Sequence, residues 1–68
     1  MSEIEIRKLL DYIESEFESM EDVWVYKLVE NTIRYAVDNM PPDMVLYHIS
    51  EMIPELTADE LVAVVEEQ

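Results

Sequence analysis

Apolar residues recur every three or four positions through most of the chain, which is the spacing of one face of an α-helix. In the first segment this face consists of Ile6, Leu9, Leu10, Ile13, Phe17 and Met20. Ser2 and Glu5 have the spacing of a capping box, in which each side chain binds a backbone amide of the other residue at a helix start. The pattern therefore predicts a first helix over about residues 3–18.

A second apolar series predicts a longer helix over about residues 22–39. Its inward members are Val25, Leu28, Val29, Thr32, Ile33, Ala36, Val37 and Met40. Ser19, with Asp22 three residues later, supplies its N-terminal cap. The run Val23–Tyr26 also favours a strand, because β-branched and aromatic residues are common in sheets. The helical spacing continues well beyond this run, and we therefore interpret the segment as helix.

Three prolines divide the second half into two shorter helices. Met40 precedes Pro41, and a residue before proline is pushed out of the α region, so the second helix ends there. A third helix begins at Pro42 or Asp43 and stops at Pro54, with these residues inward: Val45, Leu46, Ile49, Met52 and Ile53. A second capping box, Thr57 to Glu60, opens a short fourth helix bearing Leu61, Val62, Val64 and Val65.

These elements predict an all-α fold with a single domain over residues 1–68. It is a small helical bundle, in which a helical hairpin is closed by two short helices. The chain has no glycine, whereas tight β-hairpin turns depend on residues with positive φ. Half of the residues are apolar, which distinguishes the chain from a disordered acidic tail.

The charge is strongly unbalanced. The chain has 17 acidic and four basic residues, a formal charge of −13, and no Lys or Arg follows Arg34. Such a field repels nucleic acid and lipid and attracts basic surfaces. The longest stretch free of charged residues, Met44–Ser50, is far shorter than the ~20 residues that span a bilayer. We therefore expect a cytoplasmic protein that binds neither nucleic acid nor membranes directly.

Residues for catalysis or metal binding are scarce. The chain has one His and no Cys, whereas zinc sites use clusters of both. No segment has the alternating oxygen ligands and central Gly of an EF-hand. His48 has no acid–base partner at helical spacing, and we interpret it as a partly exposed helix residue. The sequence predicts no enzyme, no metal and no cofactor.

Two families of small helical domains are alternatives. Acyl carrier proteins are similar in size and charge, but their Asp-Ser-Leu motif is missing around Ser15, Ser19 and Ser50. The segment Met52–Leu56 with the following acidic helix resembles the Met-Phe-Pro turn of ubiquitin-binding CUE domains. Ile53 stands at the aromatic position of that turn.

The carboxylates form the candidate binding residues. Asp11, Glu14 and Glu18 have the spacing i, i+3, i+7, which places them on one flank of the first helix about 5–6 Å apart. Phosphates along a DNA strand are spaced on a similar scale, with an axial rise of ~3.4 Å per phosphate. Further candidates extend this surface or form a second tract: Glu16, Glu21, Asp22, Glu51, Glu55, Asp59 and Glu60. An acidic surface that serves solubility alone is the alternative.

In size, charge and helical content the chain resembles the small acidic proteins with which bacteriophages disable host DNA-binding proteins. Targets of that class include HU-type nucleoid proteins, restriction enzymes, RNA polymerase and CRISPR effectors. The resemblance implies a DNA-mimic inhibitor whose partner is a basic DNA-binding protein in the host cytoplasm. An HU-like partner is preferred, because a basic β-arm cleft accepts a compact acidic body without base readout.

Two further expectations concern protein contacts. The alternative function is an adaptor or assembly module that binds through an apolar helix face. We also predict a homodimer, since one small bundle has a limited core and leaves aromatic side chains uncovered. The predicted interface residues are Trp24, Tyr26, Tyr35 and Tyr47.

Overall fold

A computed structural model describes residues 1–66, and this part of the chain is helical with no strand. Its elements are α1 (Glu3–Glu16), a 3₁₀ turn (Glu18–Glu21), α2 (Val23–Asn39), α3 (Pro42–Met52) and α4 (Ala58–Glu66). The all-α prediction is confirmed, as is the helical interpretation of Val23–Tyr26, which forms the first turn of α2.

The first two α-helices begin at side-chain caps. The Ser2 backbone N–H donates to the Glu5 carboxylate at 2.9 Å, and the Glu5 N–H donates to the Ser2 hydroxyl at 3.3 Å, so the predicted box is complete. The predicted cap of α2, Ser19, is wrong, because Ser19 lies in the 3₁₀ turn. The cap is Asp22, whose carboxylate accepts the Trp24 N–H at 2.8 Å. Each cap satisfies backbone donors that have no partner inside the helix.

Helix α3 begins without a side-chain cap, whereas α4 begins at the hydroxyl of Thr57. Pro42 is the first residue of α3, a position where the N–H that proline lacks would have no helical partner. At the start of α4 the Thr57 hydroxyl accepts the Glu60 N–H at 3.2 Å. The Glu60 carboxylate is turned to another helix and accepts a hydrogen bond from the Tyr12 hydroxyl.

The first helix is shorter than predicted. It ends at Glu16, because Phe17 is extended (φ −131°, ψ 118°) and the next four residues form the 3₁₀ turn. Met20 nevertheless reaches the core and is 3% exposed. The 3₁₀ turn packs against α1 and α2 and carries the Met20 side chain into the core. The apolar spacing of α1 therefore continues past the end of that helix.

The helices pack as a closed ring. Each contacts the next in sequence, and α4 returns to contact α1, so that α2 and α4 are diagonal neighbours. The core inside the ring consists of Ile6, Leu9, Leu10, Ile13, Met20, Ile33, Ala36, Val45, Leu46, Ile49, Leu56 and Leu61. Within residues 1–66, no helix is both long and apolar enough to cross a membrane.

Two predicted core positions are wrong, and one further apolar position, on the fourth helix, is also exposed. Leu28 is 55% exposed, Met52 40% and Val62 38%. Leu28 lies on α2 away from the buried Ile33, and Met52 is the last residue of α3. Val62 follows the fully buried Leu61, and one position along a helix turns a side chain by about 100°. Each of these helices therefore carries more apolar residues than its neighbours in the ring cover.

Candidate protein-binding surfaces

All ten carboxylates predicted to contact a partner are exposed in the structure. They are Asp11, Glu14, Glu16, Glu18, Glu21, Asp22, Glu51, Glu55, Asp59 and Glu60. The predicted row on one helix is wrong in one respect, because Glu18 lies in the 3₁₀ turn and not on α1. The carboxylates are divided among several helices, and two local groups have a defined geometry.

The first group faces α2 and surrounds Tyr26. Glu14, Glu21 and Tyr26 line a shallow groove together with Met20 and Val23. The pKa of Tyr26 is raised, mainly because the hydroxyl is partly buried, and further by the negative charges of Glu14, Glu30 and Asp11. We call Asp11, Glu14, Glu21 and Tyr26 the Tyr26 patch.

The second group lies between α1 and α4 and surrounds Tyr12. The Tyr12 hydroxyl donates to the Glu60 carboxylate at 3.3 Å. The pKa of Tyr12 is raised by burial, by a hydrogen bond with Glu16 and by the charge of Glu60. Glu16 is therefore directed toward Tyr12, whereas the charges of Asp11 and Glu14 on the same helix act on Tyr26 of α2.

Most of the basic side chains neutralise the same two acids. Arg34 donates to Glu3 at 2.8 and 2.9 Å and to Glu30 at 3.1 and 3.2 Å. Arg7 lies 3.8 Å from Glu3, and Lys27 lies 3.8 Å from Glu30. The hydrogen bonds from Arg34 lower the pKa of Glu3, and those two carboxylates raise the pKa of Arg34.

This arrangement joins the start of α1 to the middle of α2. It also concentrates three of the four bases on two acids that are not among the ten candidates. The ion pairs of Arg7, Lys27 and Arg34 therefore leave the charge of the candidate carboxylates in place.

A different kind of surface lies on the outside of α2. Trp24 is 74% exposed, Tyr35 68% and Leu28 55%. A groove of about 430 Å³ runs along this side and is lined by Val23, Trp24, Lys27, Leu28 and Asn31. We call Trp24, Lys27, Leu28, Asn31 and Tyr35 the α2 face. It adjoins the Tyr26 patch at Val23, which lines both grooves.

The four aromatic residues predicted at a dimer interface do not share one surface. Trp24 and Tyr35 belong to the α2 face, whereas Tyr47 is exposed on α3 and Tyr26 is half-buried beside α1. Sequence reasoning missed Lys27, Leu28 and Asn31 as members of this face. Their distances of three, four and seven positions from Trp24 were the signal that they share its side of the helix.

Comparison of the chain with protein-family models, with curated proteins and with solved structures found no match. Among residues 1–66, no three His, Asp or Glu side chains are grouped so that they could hold a metal ion. The function is therefore inferred from the chemistry of the two surfaces, one acidic and one apolar.

Proposed function

We propose that this protein is a DNA mimic, which binds the basic surface of a DNA-binding protein and excludes DNA from it. An HU-like nucleoid protein is the preferred partner, as the resemblance to acidic bacteriophage inhibitors implies. The observation that carries the proposal is the density of negative charge along the molecule.

The net charge per unit length is about 70% of that of duplex DNA. Residues 1–66 contain 16 of the 17 acids, since Glu67 lies outside the described residues, and all four bases, which gives −12. The longest dimension of the molecule is 29 Å. Dividing 29 Å by 12 charges gives one net negative charge per about 2.4 Å, compared with one per ~1.7 Å of duplex axis.

The distribution of the charge also supports this function. The ten candidate carboxylates are all exposed, and they are carried by α1, the 3₁₀ turn, α3, α4 and the connections between helices. A cationic groove can therefore meet carboxylates on more than one side of the body. Because such contacts are electrostatic, binding weakens as salt screens them.

A competition assay tests the proposal. A fluorescent DNA duplex bound to a purified HU-type protein is titrated with this protein, and the anisotropy of the duplex reports its release. The test variant is Asp11→Asn/Glu14→Gln/Glu21→Gln, which removes the carboxylates of the Tyr26 patch. Each exposed ion pair contributes about 0.5 kcal/mol, so we expect the variant to need about tenfold more protein for half-release.

A matched control separates local contact from total charge. The variant Asp38→Asn/Asp43→Asn/Glu66→Gln removes the same number of exposed carboxylates outside the candidate set. It should lose much less affinity than the test variant. Equal losses would assign binding to overall charge and not to the Tyr26 patch. Failure of the parent protein to release DNA at low salt contradicts an HU-like target.

The adaptor alternative has a specific observation in its favour, the exposed α2 face. An adaptor that binds through apolar side chains retains its partner when salt is raised, because burial of apolar surface does not depend on charge. Binding of a target that resists salt and ignores a DNA competitor would therefore support the adaptor and refute mimicry.

A further inference from the structure

Helix α2 is the only α-helix in residues 1–66 without net charge. Its two bases, Lys27 and Arg34, balance its two acids, Glu30 and Asp38. Helices α1 and α4 each have a net charge of −3 and α3 has −2, counting Asp and Glu against Lys and Arg. The repulsion between two copies is therefore weakest where their α2 helices face each other.

The neutral helix is also the one with the largest uncovered side chains. Trp24 and Tyr35 are the two most exposed aromatic residues of the protein, and Leu28 lies between them. Trp24, Leu28 and Tyr35 stand at i, i+4 and i+11, so they follow one side of the helix. A surface of this kind on a small protein indicates a protein contact.

We propose that the α2 face binds the α2 face of a second copy, with the two helices antiparallel. The direction follows from the charges of Lys27, on this face, and of Asp38, which lies seven positions after Asn31 on the same side of α2. An antiparallel pair places Lys27, near the start of α2, close to Asp38 of the second copy, near the end of its α2. A parallel pair would place Lys27 beside Lys27 and Asp38 beside Asp38.

The exposed area indicates how large this contact can be. Trp24 and Tyr35 each expose about 150 Å², on the basis of 150–250 Å² for a whole aromatic side chain. With Leu28 and Val23, one copy presents about 400–500 Å², so the dimer buries about 800–1,000 Å². Stable complexes usually bury 1,200–2,000 Å². The dimer is therefore weak, with a dissociation constant in the micromolar range or above.

Asn31 lies near the centre of the contact. A polar residue at the centre of an apolar helix pair fixes the register of the pair at a cost in stability. The substitution Asn31→Leu should therefore strengthen the dimer severalfold. A species that stops at twice 8.1 kDa, with unchanged circular dichroism, distinguishes this gain from aggregation of a misfolded variant.

Sedimentation equilibrium over a range of protein concentrations tests the proposal. The parent should change from an 8.1 kDa species to twice that mass as concentration rises. The variant Leu28→Ser/Tyr35→Ser should weaken the dimer at least about tenfold. The control Met44→Ser/Tyr47→Ser removes side chains of similar exposure from α3 and should leave the dimer unchanged. Circular dichroism establishes that each variant is folded.

Two further readouts come from the same samples. Trp24 is the only tryptophan, so its emission should shift to shorter wavelength as the dimer forms. Salt should strengthen the dimer, because it screens repulsion between two acidic bodies. A single 8.1 kDa species at millimolar concentration and high salt refutes the proposal. So does a control variant that dissociates the dimer as strongly as Leu28→Ser/Tyr35→Ser. Neither outcome depends on whether the protein competes with DNA.

Discussion

Replacing Leu61 by alanine tests whether α4 is an integral part of the fold. Helix α4 has nine residues, and Leu61 is its one buried side chain. Leu61 is fully covered, with 0% exposure, inside the ring, where α4 contacts α1 and α3. An isolated helix of this length is unstable in water, so packing has to hold it in place.

The expected effect is a large part of the total stability. A buried Leu→Ala substitution costs about 2–5 kcal/mol, because it removes apolar contacts and leaves a cavity. A domain of 68 residues has a free energy of unfolding of about 3–10 kcal/mol, at 0.05–0.15 kcal/mol per residue. We expect a loss of about 3 kcal/mol and a decrease in melting temperature of more than about 10 °C.

Urea unfolding followed by circular dichroism measures this loss, at a low protein concentration that keeps the chain monomeric. The matched control is Val62→Ala, one position along the same helix and 38% exposed. It should cost about 1 kcal/mol or less. If Leu61→Ala unfolds at the same urea concentration as the parent, α4 is not held by this side chain and the ring is not closed in solution.

Three smaller changes test individual contacts. Asp22→Ala should lower the free energy of unfolding by about 1 kcal/mol through loss of the α2 cap, whereas Asp22→Asn keeps an acceptor and should be nearly neutral in urea melts. The Arg34 hydrogen bonds lower the pKa of Glu3 below 4.5, so their stabilisation is present above that pH and lost as the pH falls. Glu3→Gln should therefore melt below the parent at pH 7 but close to it in acid; a difference that persists in acid argues against this ion pair. Tyr26 ionises above its usual pKa of 10.0, and in an absorbance titration Tyr26→Phe should remove part of the late phase. An unchanged late phase would show that Tyr26 is not in the acidic groove.

The sequence predicted the helices well where local chemistry decides their ends. Ser2 and Glu5 form a complete box, and α3 begins at Pro42 as expected and ends at Met52, two residues before Pro54. The prediction for the end of α1 was wrong because Phe17 and Met20 continue the apolar spacing. A helix and a 3₁₀ turn that folds back both bury side chains at these intervals, and spacing alone does not distinguish them.

The burial of α2 was harder to predict for a related reason. Apolar residues occupy nearly every side of this helix, whereas its neighbours cover only part of it. Periodicity therefore placed Leu28 inward, and the structure places it on the open side. A helix that is apolar on several sides does not reveal which side its neighbours will cover.

For the candidate carboxylates, too, one property could be predicted from the sequence and another could not. Exposure of the ten carboxylates was predictable, since Asp and Glu are rarely buried without a partner. Their grouping was not, because it depends on tertiary packing. Tyr12 meets Glu60 only because α4 returns to α1, and Glu14 approaches Tyr26 only because the chain reverses direction after Phe17.

The ring order of the helices decides where the protein can be tethered. Met1, Glu5, Val65 and Glu66 line one groove, so both ends of the described chain meet on the side of α1, α3 and α4. Helix α2 is diagonal to α4 and does not contact it within residues 1–66. An affinity tag, a surface anchor or a fused fluorescent domain at either end therefore leaves α2 open. An immobilised molecule keeps its apolar side accessible for capture.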